Sequence, residues 1–136
     1  MKKIFIDTNI LLDVLLKRPE FHQAAAHIWA DCESGKAEGC ISAISLNNLH
    51  FIMARKAGKN RALASVRIVL NIFTVIPLDE KILRLAAELP HKDFEDAIQL
   101  FSAVQTKADC IITRDTNHFP NEYLPVLSPI DYLQTS

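Results

Sequence analysis

Short apolar runs alternate along the chain with longer stretches in which apolar residues recur every three or four positions. The runs are "KIFI" (3–6), "GCI" (39–41), "FTVI" (73–76) and "CIIT" (110–113), with a weaker fifth in "PVL" (125–127). They lack the apolar/polar alternation of a strand with one wet face, which points to a parallel sheet covered on both sides. Helical periodicity covers 10–17, 21–34, 43–57, 61–72, 81–89 and 94–107. Because strand and helix signals alternate, the predicted fold is α/β. A central, mostly parallel sheet of four to five strands is flanked by helices in three layers, joined by right-handed crossovers.

Composition narrows the class. A chain of 136 residues, 49% hydrophobic, suits a single domain spanning 1–136, with no repeat or Gly/Ser/Pro-rich linker to divide it. Lys2 and Lys3 before an apolar run imitate a secretory start, but Asp7, Asn9 and Asp13 interrupt the run and no small-residue cleavage site follows. No later stretch approaches the roughly 18 uncharged apolar residues of a membrane span, so a cytoplasmic chain is expected. The cysteines Cys32, Cys40 and Cys110 are odd in number and form no CxxC pair, which argues against a disulfide frame and a zinc site and for core thiols in a reducing compartment. A net charge of -1 gives no global basic field, so any nucleic-acid binding must come from a local patch.

The carboxylates change the picture most. Parallel sheets place their ligand crevice beyond the carboxyl ends of the strands. There the sequence puts Asp7 after "KIFI", Asp79 after "FTVIPL", Arg114 and Asp115 after "CIIT", and Ser42 and Ser45 after "GCI". Aspartate is also a favoured helix N-cap, and capping is the competing explanation for each. It suits Asp79, which opens "LDEKILRLAAEL", better than Asp7 or Asp115. In "HKDFEDAIQLFSA" Asp93 holds an N-cap position, and Glu95 and Asp96 fall in a first turn where the helix dipole favours negative charge. Yet "DAIQLFSA" is apolar enough to pack on the sheet, which leaves Asp96 beside buried positions with no evident Lys or Arg partner. If Asp7, Asp96 and Asp115 converge, their mutual repulsion amounts to several kcal/mol per pair, and a divalent cation relieves it. All-oxygen ligation selects Mg²⁺ or Mn²⁺ over zinc.

Four segments, "FIDTN", "ISAISLNNL", "DFEDAIQLFSA" and "IITRDTNHF", give the chain an almost end-to-end resemblance to PIN-domain ribonucleases, a family that includes the toxins of many bacterial toxin-antitoxin pairs. The resemblance implies a PIN-like fold and a metal-dependent endoribonuclease in which one or two Mg²⁺ or Mn²⁺ ions activate water for in-line attack on an RNA phosphodiester. It implies metal ligation by Asp7, Asp96 and Asp115. The fourth family acid is replaced: Asn48 stands where a glutamate is usual, and Asp93 is a candidate to compensate. His118 replaces an acidic residue before Phe119. Thr8, Asn9 and Thr113 are candidates to orient ligands by hydrogen bonds. A protein antitoxin is an implied partner.

For the RNA backbone, Arg114 beside Asp115 is the first candidate, followed by Arg55, Lys56 and Lys59 in "ARKAGKNR", a stretch for which an ordinary solvated helix-helix connection is the competing explanation. Trp29, in "AAAHIWAD", is expected in core or interface. The apolar content of that helix and of "LASVRIVLNIF" exceeds what one small sheet covers, so a homodimer or a partner surface is expected. Two other readings compete with the nuclease. The substitution at Asn48 favours a catalytically weakened PIN-like module for protein interaction or RNA binding. A phosphoacceptor receiver domain would need adjacent acids after its first strand and a lysine after a late one, and the chain has neither.

Overall fold

The computed structural model describes residues 1–90 and 93–135. In chain order these form β1 (Lys2–Ile6), α1 (Thr8–Leu15), α2 (His22–Glu33), β2 (Ala37–Ser42), α3 (Ala43–Ala57), α4 (Lys59–Ile72), β3 (Thr74–Ile76), α5 (Glu80–Glu88), α6 (Phe94–Gln105), β4 (Cys110–Ile112), a 3₁₀ turn (Thr116–His118), β5 (Val126–Leu127) and α7 (Pro129–Thr135). The sheet runs β3-β2-β1-β4-β5, and every pairing is parallel. The expected α/β architecture is therefore present with all five strands.

Alternate residues of the strands feed two cores, one on each face of the sheet. Ile4, Ile6, Ile41 and Ile112 pack with α1 to α4 and α7, while Phe5, Cys40 and Ile111 pack with α5 and α6. Helix α6 is buried almost all round from Ala97 to Ala103, so its first turn is carried down against the carboxyl edge of the sheet. Gly39 in β2 permits a close approach: a Cβ there would lie 2.7 Å from both Cys32 Sγ and the Phe73 ring. The three cysteines are free and buried, and burial pushes their thiols up to about 12 for Cys32 and about 11 for Cys40 and Cys110.

Two elements depart from the sequence expectation. β2 begins two residues before its apolar run, because Ala37 and Glu38 pair with Lys2 and Lys3 and Glu38 accepts the Thr74 hydroxyl from β3. Helix α7 has no periodic signal, since seven residues span only about two turns. It starts on Pro129, and the Ser128 hydroxyl caps it by accepting from the Asp131 amide. Trp29 meets Phe73 edge-on at 5.1 Å, so much of the apolar surface of α2 is covered within the chain. Helix α4 still exposes Leu63, Ile68 and Leu70. No helix of the described residues is long and apolar enough to cross a membrane.

Candidate functional site

The winding of the sheet reverses between β1 and β4, and ligand crevices of parallel sheets form at such reversals. The Asp7 amide donates to Ile112 O at 3.0 Å, which extends the β1–β4 ladder by one residue and seats Asp7 on the carboxyl edge. Asp7 occupies the N-cap position of α1, yet its side chain makes no capping bond. Its Oδ2 instead accepts the Thr113 hydroxyl at 2.7 Å, and the Gln99 amide also supports it. Burial raises the pKa of this 8%-exposed carboxyl, the Thr113 and Gln99 hydrogen bonds oppose the rise, and the charge of Asp115 adds to it.

Asp79 and Asp93 behave as caps. Asp79 accepts from the Ile82 amide at 2.9 Å, and that bond holds its carboxyl below the usual range. Asp93 accepts from the amides of Glu95 (2.9 Å) and Asp96 (3.2 Å) and so starts α6. The next carboxylates along α6 then point into an open cleft of about 480 Å³ lined by Asp7, Asn9, Asn48, Glu95, Asp96 and Asp115, with Arg18 and His118 on its walls. The pKa of Asp96 is pushed up to about 6, first by burial and then by the charges of Asp93 and Asp7, with His118 pulling the other way. Glu95 is raised by burial and by the charges of Asp93 and Asp7, with the nearby Asn48 amide opposing the rise. Asp115 is held by Asn9, whose Nδ2 donates to its Oδ2 at 3.1 Å. His118 Nδ1 stands 3.8 Å from Asp96 and 4.0 Å from Asp115.

The cleft thus gathers Asp7, Asp96, Asp115 and Asn48, with Thr113 directly behind Asp7. Four expected members stand elsewhere, and two are turned to other partners. Asp93 caps α6 and does not line the cleft, although its charge is felt at Glu95 and Asp96. Arg114 is turned away: its Nε and Nη2 donate to buried Asp13 at 2.7 and 3.2 Å, and its guanidinium lies 4.0 Å over the Phe21 ring. Arg55, Lys56 and Lys59 do not line the cleft either, because Arg55 lies seven residues, about 10 Å of helix rise, beyond Asn48 on α3. Thr8 donates its hydroxyl to Ser45 rather than to a carboxylate.

Sequence reading missed Arg18, Glu95 and Gln99 as site residues. The last two follow from helical spacing, since Gln99 lies four residues after Glu95 and three after Asp96 on one stripe of α6. Nothing local marks Arg18, which reaches the cleft wall only because the chain folds back after α1.

Oxygen donors dominate the cleft, and among the described residues no Lys or Arg forms an ion pair with Asp96, whose carboxyl is raised first by burial and then by neighbouring acids. By donor chemistry the set fits a hard divalent cation. Among the described residues, no three His, Cys, Asp or Glu side chains already stand in an arrangement that holds one ion. Two cleft amides also carry buried atoms without a hydrogen-bond partner, Asn9 Oδ1 and Asn48 Nδ2, as does Gln99 Oε1 behind them.

The PIN domain family model matches residues 3–117. Ribonuclease VapC1 of Aquifex aeolicus is 24% identical over 123 residues, covering 87% of this chain and 85% of that protein. Among solved structures, a toxin-antitoxin complex from Klebsiella pneumoniae superposes with a TM-score of 0.70 at 24% identity, over 93% of this chain and 97% of that one. Mycobacterium tuberculosis VapC20, described as a Sarcin-Ricin loop cleaving toxin, does so with a TM-score of 0.68 at 18% identity, over 88% and 92%. These structural likenesses establish a shared fold.

Proposed function

Since this chain belongs to the PIN domain family, we propose that it is a metal-dependent endoribonuclease that hydrolyses RNA phosphodiester bonds as the toxin of a toxin-antitoxin pair. The observation that carries the reading is Asp7: a buried carboxylate at a capping position that caps nothing and is instead fixed by Thr113 toward Asp96 and Asp115. The curated relative named a ribonuclease supports the same assignment.

Asp7, Asp96 and Asp115 would hold Mg²⁺ or Mn²⁺, which lowers the pKa of an attacking water and screens charge on the scissile phosphate. The chain's own groups prepare the site. Thr113 and Gln99 fix the direction of Asp7, Asn9 fixes Asp115, and the amides of Glu95 and Asp96, drawn onto Asp93, fix the first turn of α6. Arg18 on the cleft wall is placed to meet a phosphate of the strand, a contact that positions the backbone without reading sequence. Such an enzyme works in the cytoplasm, where RNA is present and the free thiols stay reduced. A protein antitoxin would cover the cleft, whose rim carries the exposed ring of Phe51, and the apolar residues left open on α4 suit a homodimer.

The test is cleavage of end-labelled single-stranded RNA with Mg²⁺ or Mn²⁺, against EDTA and Asp7→Asn controls. Metal-dependent cleavage lost in the variant supports the reading, and intact RNA under every metal condition refutes it. One observation favours a second reading, a catalytically weakened interaction or RNA-binding module: Asn48 brings an amide, not a charge, to the cleft. Calorimetric Mn²⁺ titration separates the two, because a weakened module shows little or no binding.

A further inference from the structure

Asp13 is a carboxylate with no exposed side-chain surface, yet nothing in the proposed reaction uses it. Arg114 reaches it from the end of β4 with two nitrogens, and Arg18 reaches it with Nη1 at 3.2 Å. A buried ion pair is a poor source of net stability, since well-packed apolar residues of similar volume often do as well or better. Its value lies in direction: a bidentate guanidinium fixes a backbone segment in position and orientation. Here the fixed segment is Thr113-Arg114-Asp115. Thr113 donates to Asp7, and its oxygen accepts the Asp115 amide at 3.0 Å. Asp115, with a side chain 47% exposed, finds Asn9 from the other side. The middle residue is therefore the anchor for its two neighbours, and Asp13 is what it is anchored to.

We propose that Asp13, acting through Arg114, is the positioning residue that sets the Thr113–Asp115 turn and with it the separation of the two cleft carboxylates Asp7 and Asp115. The effect on metal binding rests on the nuclease reading above, whereas the effect on the turn does not. Phe21, stacked under the guanidinium, keeps Arg114 in the plane that Asp13 requires. Arg114→Lys keeps the charge but loses the fork, so it loosens the turn. A double replacement, Asp13→Leu with Arg114→Met, removes the pair together and leaves only the part-exposed Arg18 guanidinium without its partner.

Amide hydrogen exchange by NMR on metal-free protein reads the turn directly. The Asp115 amide is the reporter, and the Ile111 amide, bonded to Pro125 O at 2.9 Å within the sheet, is the global control. In Arg114→Lys the Asp115 amide exchanges about tenfold faster, the loss of roughly one hydrogen bond's protection, while Ile111 is unchanged. In the double variant the melting temperature returns toward wild type, but Asp115 stays fast and Mn²⁺ affinity is about tenfold weaker, the range expected when an outer partner of a ligand is lost. Equal acceleration at Asp115 and Ile111 in Arg114→Lys makes the pair a stability element only and overturns the proposal. Wild-type Asp115 protection in either variant overturns it as well. If wild-type protein cleaves no RNA, the nuclease reading fails, and the exchange comparison still decides the role of Asp13.

Discussion

Replacing Asp96 with asparagine removes a charge from a partly buried carboxylate of the cleft while keeping its shape. The Asp96 pKa rises from 3.8 to about 6, through burial and the charges of Asp93 and Asp7. A raised carboxyl favours the folded state while protonated. Its ionised form opposes folding, so the stability it contributes is complete below about pH 3.8 and is lost as pH rises through about 6. At 1.36 kcal/mol per pH unit the ceiling is about 3 kcal/mol. The side chain is 23% exposed, and solvent screening brings the expected figure to about 1–2 kcal/mol. Metal-free Asp96→Asn is thus more stable than wild type by that amount at pH 7.5, and the difference closes as pH falls to about 4. Urea denaturation of both proteins across this range isolates the effect, because groups such as Asp79, whose shift has the opposite sign, cancel in the difference. With saturating Mn²⁺ the order reverses, since wild type gains binding free energy that the variant lacks. A stability difference that does not change between pH 4 and 7.5 refutes the argument that Asp96 sits in uncompensated negative charge.

Three further outcomes follow from the same geometry. Asp7→Asn leaves the helix start intact, because the Asp7 side chain caps nothing. RNA cleavage falls by more than the roughly tenfold to hundredfold typical of losing an outer partner, and cleavage near wild-type rate removes Asp7 from the site. Asn48→Glu places a carboxylate against Glu95, which lowers the metal-free melting temperature and tightens Mn²⁺ binding about tenfold by calorimetry. A lower melting temperature with unchanged affinity makes Asn48 structural. Leu70→Lys on the exposed face of α4 converts a dimer to a monomer by light scattering, and a wild type that is already monomeric contradicts the dimer.

The alternation of apolar runs and helical periods determined the α/β class, the parallel sheet and the strands within a residue or two, because burial on both faces leaves an uninterrupted apolar signature. It also puts Asp7 and Asp115 on one edge, since the carboxyl ends of parallel strands lie on one side of the sheet by construction, whereas only the fold brings Asp96, in the first turn of α6, to the same cleft. Local chemistry separated Asp79 from the rest, for a cap is a contact within three residues. Contacts between residues distant in sequence were out of reach. Whether Asp7 caps α1 or turns to Thr113 depends on a bond spanning 106 positions, and Arg114 looks like a phosphate contact in the sequence because its partner Asp13 lies 101 residues away. Arg18, unmarked in the sequence, reaches the cleft wall through that same carboxylate. Helix α7 left no trace because two turns are too short for a period to register. Sequence thus fixed which residues stand at the edge of the sheet. Tertiary structure decided which way each charged side chain turns there, because the direction of a buried charge is set by whichever opposite charge or hydrogen-bond donor the fold brings within about 3 Å.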